Sequence, residues 1–246
     1  MITVQKALQT LGMSRRKAAD YIKEKGVKVN GKLVKEPWFE IEYGDDLEFN
    51  GKKHKFENIK EKKEDKVYYL LNKPKEVLCS MEDPFGRKTI KDLIKNKIKE
   101  KNVFHVGRLD YNTSGILLLT NDGDLANYLL HPKYKVEKIY DVLVMGHPKK
   151  EELKNLERGI EIEDGVKTQP AKIEKVKKKG NNHQIIIKIT EGRKRQVRLM
   201  FKALGYTVLN LKRLAFGPWE IKRVPKEGDI VKLDNFEVNK LFKKLK

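Results

Sequence analysis

The feature that most constrains the fold is the unbroken apolar run ILLL, Ile116 to Leu119, inside the segment GRLDYNTSGILLLTNDGD. Four consecutive apolar residues between two polar turns predict a short β-strand that is buried on both faces. Just before it stand Arg108 and Asp110, and because strand side chains alternate, we expect both to project to the same side. The segment therefore predicts a charged Asp on a tight turn that a core strand anchors.

The residues around Asp110 allow two interpretations. An Arg beside a carboxylate keeps that carboxylate ionised at neutral pH, which suits a lone catalytic group. A structural Arg–Asp pair that closes a loop has the same pattern and is the commoner arrangement. The pattern alone therefore leaves catalysis open.

The charge of the chain favours a polyanionic partner. Its 246 residues include 55 Lys and Arg against 35 Asp and Glu, for a formal net charge of +20. Residues 172–213 hold thirteen basic and two acidic side chains, and residues 1–36 hold nine and three. Because basic surfaces release counterions from phosphates, these two concentrations of charge indicate nucleic acid.

Several classes of protein fit the sequence poorly. Cys79 is the only cysteine, so an intrachain disulfide is impossible and a Cys-based metal site is not expected. The five His are scattered without ligand spacing, so no metal is expected. No apolar run approaches the length of a membrane span, and the first residues lack the apolar core of a signal peptide. We therefore expect a cytoplasmic protein.

The first fifty or so residues predict a small unit in the order helix, helix, hairpin, strand. VQKALQTL (Val4 to Leu11) has helical periodicity, and Ser14 is a good N-cap for a second helix, RRKAADYIKEK. Asn30–Gly31 predicts a hairpin turn in KVNGKLV. EIEYGDDLEFNGK predicts a further pair of short strands around Gly44.

Arg15, Arg16 and Lys23 give the second helix a basic character. Arg16 and Lys23 are seven residues apart and share one helix face. Phosphate binding and a solvated face are both compatible with this pattern. The charged stretch from Lys52 to Lys66 has almost no apolar anchor and is interpreted as a linker. The predicted domains are residues 1–60, with the linker reaching about 66, and residues 67–246.

The larger domain mixes strands and helices without βαβ alternation. The predicted strands are VYYLLNKP, VFHVGRLD, GILLLTND, KIYDVLVMG, TQPAKIEKV and HQIIIKITEG, and the predicted helices are DLANYLL, KEELKNLERG and KRQVRLMFKALG. Hairpin-type connections recur between them. This order predicts an α+β fold on a mixed, mostly antiparallel sheet.

Two further segments carry candidate functional residues. In EGRKRQVRLMFKALG the spacing of Val197, Phe201 and Leu204 predicts a face toward the core. A neighbouring basic stripe suits either phosphate binding or solvent; it consists of Lys194, Arg198 and Lys202. In EKIYDVLV, Tyr140 is either a packing residue or a phenol placed to stack on a nucleobase.

These segments together resemble a known family. GRLDYNTSGILLLTNDGD is similar to the signature of the RsuA/RluB-type pseudouridine synthases, which isomerise specific uridines in ribosomal RNA. EKIYDVLV resembles the Lys-x-Tyr strand of that family, EGRKRQVRLMFKALG its third motif, and VLNLKRLAFGP its Leu–Lys–Arg–x–x–x–Gly segment. The N-terminal SRRKAADYIKEKGVKVNGK resembles the alpha-L RNA-binding domain. The resemblance covers nearly the whole chain.

The resemblance implies a role for each site residue. Asp110 is the expected catalytic aspartate, Tyr140 stacks on the target base and assists proton transfer, and Arg198 pairs with Asp110. The other implied substrate-binding residues are Arg108, which holds the flipped nucleotide, and Leu211, which forms the apolar floor. From their charge, Arg195 and the N-terminal Arg15, Arg16 and Lys23 are also expected to bind the RNA. Ribosomal RNA is the implied partner, preferably that of the large subunit. The resemblance implies no cofactor, and a monomer is expected.

Two other classes of function are alternatives to this one. A non-catalytic rRNA-binding assembly factor fits the charge and the accessory domain equally well, but it has no need of Asp110, Tyr140 and Arg198 together. A nuclease or other hydrolase needs a pair of His or a carboxylate cluster for metal, and the sequence offers neither.

Overall fold

The structure is a computed structural model that describes residues 1–56 and 65–245. The chain divides into two compact units, Met1–Asp65 and Lys66–Lys246, called here the N-terminal and C-terminal units. Of the predicted linker, residues 57–64 lie outside the described residues.

The N-terminal unit packs two helices on short strands. Its elements are β1 (Ile2–Thr3), α1 (Val4–Thr10), α2 (Arg15–Glu24), β2 (Val27–Val29), β3 (Lys32–Val34), β4 (Glu40–Ile41), β5 (Asp46–Phe49) and β6 (Lys52–Lys55). Ser14 caps α2 as expected, because its side chain accepts a hydrogen bond from the backbone N–H of Lys17. The β2–β3 hairpin turns at Asn30–Gly31, where both residues have positive φ.

Two expectations for this unit are wrong. The strands on either side of Gly44 do not pair, because β4 pairs with β1, whereas β5 pairs with β2 and β6. Lys52–Lys55 is strand β6 rather than part of a linker. The cause is a second Asn–Gly turn, Asn50–Gly51, whose positive φ values direct the chain back along β5.

The C-terminal unit contains one large sheet with helices on its faces. Its elements are β7 (Tyr68–Lys73), α3 (Ile90–Ile94), β8 (Phe104–His105), β9 (Ser114–Thr120), α4 (Gly123–Leu130), β10 (Lys138–Met145), α5 (Lys150–Glu157), β11 (Glu161–Ile162), β12 (Val166–Lys167), β13 (Lys172–Lys179), β14 (Asn182–Ile189), α6 (Gln196–Ala203), β15 (Val208–Phe216), β16 (Trp219–Glu220), β17 (Ile230–Lys232) and α7 (Asn235–Leu245). The strand order is β13-β14-β10-β15-β9-β7-β17, with β8 on β9 and β16 on β15. The strand pairs of this sheet are antiparallel except β9 with β15, which confirms the predicted mixed, mostly antiparallel sheet.

Strand β9 is buried on both faces, as its apolar run predicts. Ile116 and Leu118 pack in a cluster with residues of α4, whereas Leu117 and Leu119 pack in another with residues of α3. All four side chains are fully buried. The strand therefore fixes the segment that precedes it.

The parallel contact between β9 and β15 requires a glycine. Gly115 has φ +115°, and a Cβ there would lie 2.2 Å from the carbonyl oxygen of Arg213. No side chain fits so close to a backbone. Gly115 therefore lets β15 approach β9 and sets the position of Arg213.

The predicted strand VFHVGRLD is wrong beyond His105. Strand β8 ends there, and the chain from Gly107 to Thr113 is an irregular loop. Gly107 has φ +70°, so the strand geometry that was expected to align Arg108 with Asp110 is broken. Helices α3 and α7 were not among the elements predicted from the sequence.

Candidate active site

Asp110 stands in a loop that is fixed from several sides. The backbone N–H of Thr113 donates to the carbonyl of Asp110 at 3.0 Å, which closes a tight turn. Leu109 is buried, and its N–H lies 3.3 Å from the Sγ of Cys79. The N–H of Glu76 donates to the carbonyl of Tyr111 at 2.8 Å. These contacts therefore fix the backbone that carries the carboxylate, although the segment is not a strand.

A buried lysine orders the segment that supports this loop. Lys73 ends β7 with no exposed surface, and its Nζ donates to the carbonyls of Pro74 and Val77 at 2.7 and 2.8 Å. Burial lowers the pKa of Lys73, while the nearby Asp110 carboxylate is among the groups that raise it. The ammonium thus fixes the turn that carries Glu76.

Asp110 lines a cavity of about 110 Å³. Four other predicted residues line the same cavity, namely Arg108, Tyr140, Arg195 and Leu211. Tyr140 and Leu211 are buried, whereas Arg108 and Arg195 are exposed. The cavity therefore combines one carboxylate, one phenol and an apolar wall with cationic side chains that reach solvent.

The pairing of β10 with β15 brings the remaining wall together. Tyr140 lies opposite Arg213, and Val142 lies opposite Leu211. Directly opposed residues share a face of the sheet, and so do residues two apart along β10, including Lys138. The face of the sheet beside Asp110 thus presents Lys138, Tyr140, Leu211 and Arg213, all of which line the cavity.

Arg198 differs from its expected role. Its Nη2 donates to the carbonyl of Asn112 at 2.9 Å and its Nη1 to the carbonyl of Val208 at 3.1 Å. Within the part of the chain that the structure describes, Arg198 and Asp110 form no ion pair within 4.0 Å, although the Asp110 carboxylate acts on it electrostatically. Burial lowers the pKa of Arg198, and the Asp110 carboxylate raises it. In this structure the guanidinium thus supports the Asp110 loop through Asn112.

A second and larger cavity adjoins the first. It has a volume of about 630 Å³ and shares Arg193 and Arg195 with the smaller one. Its cationic lining is completed by Lys194, Arg198 and Lys202. Such a concentration of cations suits the phosphates of a nucleic acid strand.

The turn into α6 shapes both cavities. The carboxylate of Glu191 accepts hydrogen bonds from the Gln169 N–H at 2.8 Å and from Gln196 Nε2 at 2.6 Å. Gln196 in turn accepts from the N–H of Arg193 at 2.9 Å, and Arg195 takes a left-handed conformation at φ 54°. Val197, Phe201 and Leu204 pack into the core as their spacing predicts.

Similar proteins identify the family to which this chain belongs. The family described as RNA pseudouridylate synthase matches residues 67–203, and the S4 domain matches residues 4–47. A Bacillus subtilis protein named ribosomal large subunit pseudouridine synthase B is 44% identical, over 98% of this chain and 96% of its own length. The chain belongs to the RNA pseudouridylate synthase family. This confirms the resemblance found in the sequence.

Other members of the pseudouridylate synthase family agree in extent and fold. An Aquifex aeolicus protein named as an uncharacterized RNA pseudouridine synthase is 42% identical over 98% of this chain and 94% of its own length. A solved structure titled "Crystal structure of pseudouridylate synthase" has a TM-score of 0.67 and 28% identity, and it covers 98% of this chain and 100% of its own. Membership in this family does not support the alternative of a non-catalytic rRNA-binding assembly factor.

Two residues of the Asp110 cavity are not among the site residues predicted from the sequence. Lys138 and Arg213 line the cavity, and both are buried. The signal was present, since each belongs to a motif that the resemblance rests on. A charged residue in a strand is ordinarily assigned to solvent, and only the tertiary structure reveals its burial.

The other predicted binding residues, Arg15, Arg16 and Lys23, lie exposed on α2 of the N-terminal unit. Over residues 1–56 and 65–245, no group of three or more His, Cys, Asp and Glu is placed to hold a metal ion. In the same ranges, no helix is long and apolar enough to cross a membrane.

Proposed function

We propose that this protein isomerises a specific uridine of large-subunit ribosomal RNA to pseudouridine, with Asp110 as the catalytic carboxylate. The observation that carries the proposal is the meeting of Asp110, Tyr140 and Leu211 in one small cavity. The full-length similarity to a relative named for the large ribosomal subunit supports the choice of RNA.

The reaction defines what the cavity has to do. The bond between N1 of uracil and C1′ of ribose breaks, the base turns, and C5 bonds to C1′. C5 loses a proton and N1 gains one, so that no group is donated and nothing is oxidised. In our proposal Asp110 acts at the sugar, either by adding to C1′ or by promoting a glycal-type intermediate.

The other residues bind and position the nucleotide. A base inside a helix is out of reach, so the target uridine has to flip into the cavity. There Tyr140 stacks on it and assists proton transfer, while Leu211 forms the apolar floor. Arg108 holds the flipped nucleotide at the exposed rim. Arg195 and the basic cavity beside it bind flanking phosphates, and Arg198 holds the Asp110 loop through Asn112.

The N-terminal unit is proposed as the module that selects the RNA, since S4 domains match it and its α2 exposes Arg15, Arg16 and Lys23. Replacing these three residues by Gln is expected to weaken RNA binding and to reduce the slope of log affinity against log salt by about 2 to 3. Filter binding at several salt concentrations measures both quantities.

A matched control removes three exposed charges elsewhere in the same unit, Lys52, Lys53 and Lys55 of β6. If both triple variants lose the same affinity and slope, the effect is one of general charge, and a specific role for α2 is wrong.

The choice of RNA is tested by treating transcripts of each ribosomal RNA with the protein and measuring pseudouridine by nucleoside chromatography. Product from the large-subunit RNA alone supports the proposal, whereas product from the small-subunit RNA alone contradicts it.

We further propose a cytoplasmic monomer. The single cysteine suits a reducing compartment, and light scattering tests the oligomeric state.

A further inference from the structure

Arg213 and Lys138 are two buried cations in the wall of the Asp110 cavity. Their side chains are only 3% and 6% exposed. The Nε of Arg213 donates to the carbonyl of Ile116 at 2.8 Å, and its guanidinium stacks 4.8 Å from the ring centre of Phe216. Lys138 Nζ donates to the carbonyl of Val136 at 2.8 Å. Neither cation forms an ion pair with a carboxylate of the described residues.

The cavity wall contains buried polar atoms that lack partners. Arg213 Nη2 and Thr113 Oγ1 are both buried and have no hydrogen-bond partner among the described residues. Both residues line the cavity. Because proteins rarely leave buried donors unpaired, two such atoms in one wall indicate a ligand that carries hydrogen-bond acceptors.

The charge of this wall indicates the same kind of ligand. Burial, and after it the positive charge of Arg213, lower the pKa of Lys138 to about 8, although the Glu191 carboxylate opposes both. Two like charges held together in a poorly solvated wall are unfavourable until an electron-rich group lies beside them.

The position of Arg213 is fixed before any ligand binds. Gly115 allows the backbone of β9 to approach Arg213 to a distance that excludes a Cβ. The bond from Nε to Ile116 ties the guanidinium to the same strand. Donors that are held in place in a poorly solvated site stabilise developing charge most effectively.

We propose that Arg213 and Lys138 are further substrate-binding residues, which donate to the keto oxygens of the target uracil and stabilise the negative charge that the base acquires. This proposal rests on the proposed function. When the N1–C1′ bond breaks, its electron pair leaves with the base, and the charge spreads over N1, O2 and O4. C5 then bonds to C1′ and loses its proton, while N1 takes up a proton, so the isomerisation balances.

The chemistry of uracil fits the donors that Arg213 and Lys138 supply. Guanidinium and ammonium groups donate and cannot accept, and O2 and O4 accept. The turn about the axis from N3 to C6 exchanges O2 with O4, so the same donors serve the base before and after it turns. Cytosine presents an amino group in place of O4, and its donors would oppose those of the wall.

The test uses the full chain and the rRNA transcript that the wild type modifies, in single turnover at saturating protein. Arg213→Met is expected to lower the rate of tritium release from C5-labelled uridine by about 10²–10³-fold. RNA affinity should stay within about 3-fold of wild type, because phosphate contacts dominate it. Lys138→Met is expected to lower the rate in the same way, and Arg213→Lys to restore part of it.

Arg158→Met is the matched control, since Arg158 is an exposed arginine of the same unit. It should keep the wild-type rate. If Arg213→Met does not fold, the rates of tritium release by Lys138→Met and Arg213→Lys test the proposal instead. Wild-type rates in both variants would overturn it. No tritium release by the wild type itself would instead refute the proposed function.

A pH profile separates substrate stabilisation from a structural role. Because Lys138 loses its proton above about pH 8, the wild-type rate should fall there, while Lys138→Arg should keep its rate to higher pH. The other charged or titratable groups of this environment are Arg213, Glu191, Asp110, Tyr140, Arg108, Arg193 and Arg195. Coincident profiles for the two proteins would overturn the role of Lys138.

Discussion

Asp110→Asn is expected to lower pseudouridine formation by on the order of 10⁴-fold or more, because the amide can neither add to C1′ nor act as the base that the reaction needs. The amide has nearly the same shape as the carboxylate, and the Asp110 loop is held mainly by backbone contacts. Folding and RNA affinity should therefore remain close to those of the wild type. Tritium release and filter binding on the same protein preparation measure the two quantities.

Asp124→Asn is the control for this variant. Asp124 belongs to the same signature segment, but its side chain is exposed in the first turn of α4. The Asp124→Asn protein should form pseudouridine at the wild-type rate. An Asp110→Asn protein with more than a few per cent of wild-type activity would mean that another group carries the chemistry.

Gly115→Ala is expected to destabilise the C-terminal unit by about 3 kcal/mol or more. The new Cβ would meet the carbonyl oxygen of Arg213 at 2.2 Å, and φ +115° is strained for any residue that carries a Cβ. The melting temperature should fall by roughly 6–12 °C. Trp219 is 1% exposed in the core of this unit, so its fluorescence reports the transition in a Trp38→Phe background.

Gly123→Ala is the matched control for this substitution. Gly123 begins α4 without a positive φ, and a Cβ there would have no atom within 4 Å. The free energy of unfolding of the Gly123→Ala protein should differ from that of the wild type by less than about 1 kcal/mol. A small gain is expected, because alanine favours a helix more than glycine does. Equal melting temperatures for the two variants would show that β9 and β15 can separate at this point without cost.

The sequence predicts those parts of the fold and site that depend on local chemistry. The apolar run of β9, the Ser14 cap and the Asn30–Gly31 turn each follow from a few neighbouring residues. Asn50–Gly51 carries the same signal as Asn30–Gly31, but the charged residues that follow it are typical of a linker.

What the sequence does not predict depends on contacts between distant segments. The strand predicted for VFHVGRLD ends at His105, because Gly107 turns the chain into a loop that the backbone of Glu76 supports. Arg213 and Lys138 look like solvent-facing charges until the strands assemble and bury them. The contact of Arg198 with Asn112 likewise requires α6 to lie against the loop, and no spacing along the chain encodes it.

The central claim is that this protein exchanges the N1–C1′ bond of uridine for a C5–C1′ bond, and this exchange releases the hydrogen at C5. The most direct measurement is tritium release from large-subunit ribosomal RNA that is labelled at C5 of uridine. The account predicts release by the wild type that reaches a limit of one uridine for each RNA. Tight binding of this RNA without any release, under conditions where Asp110 is intact, would contradict it.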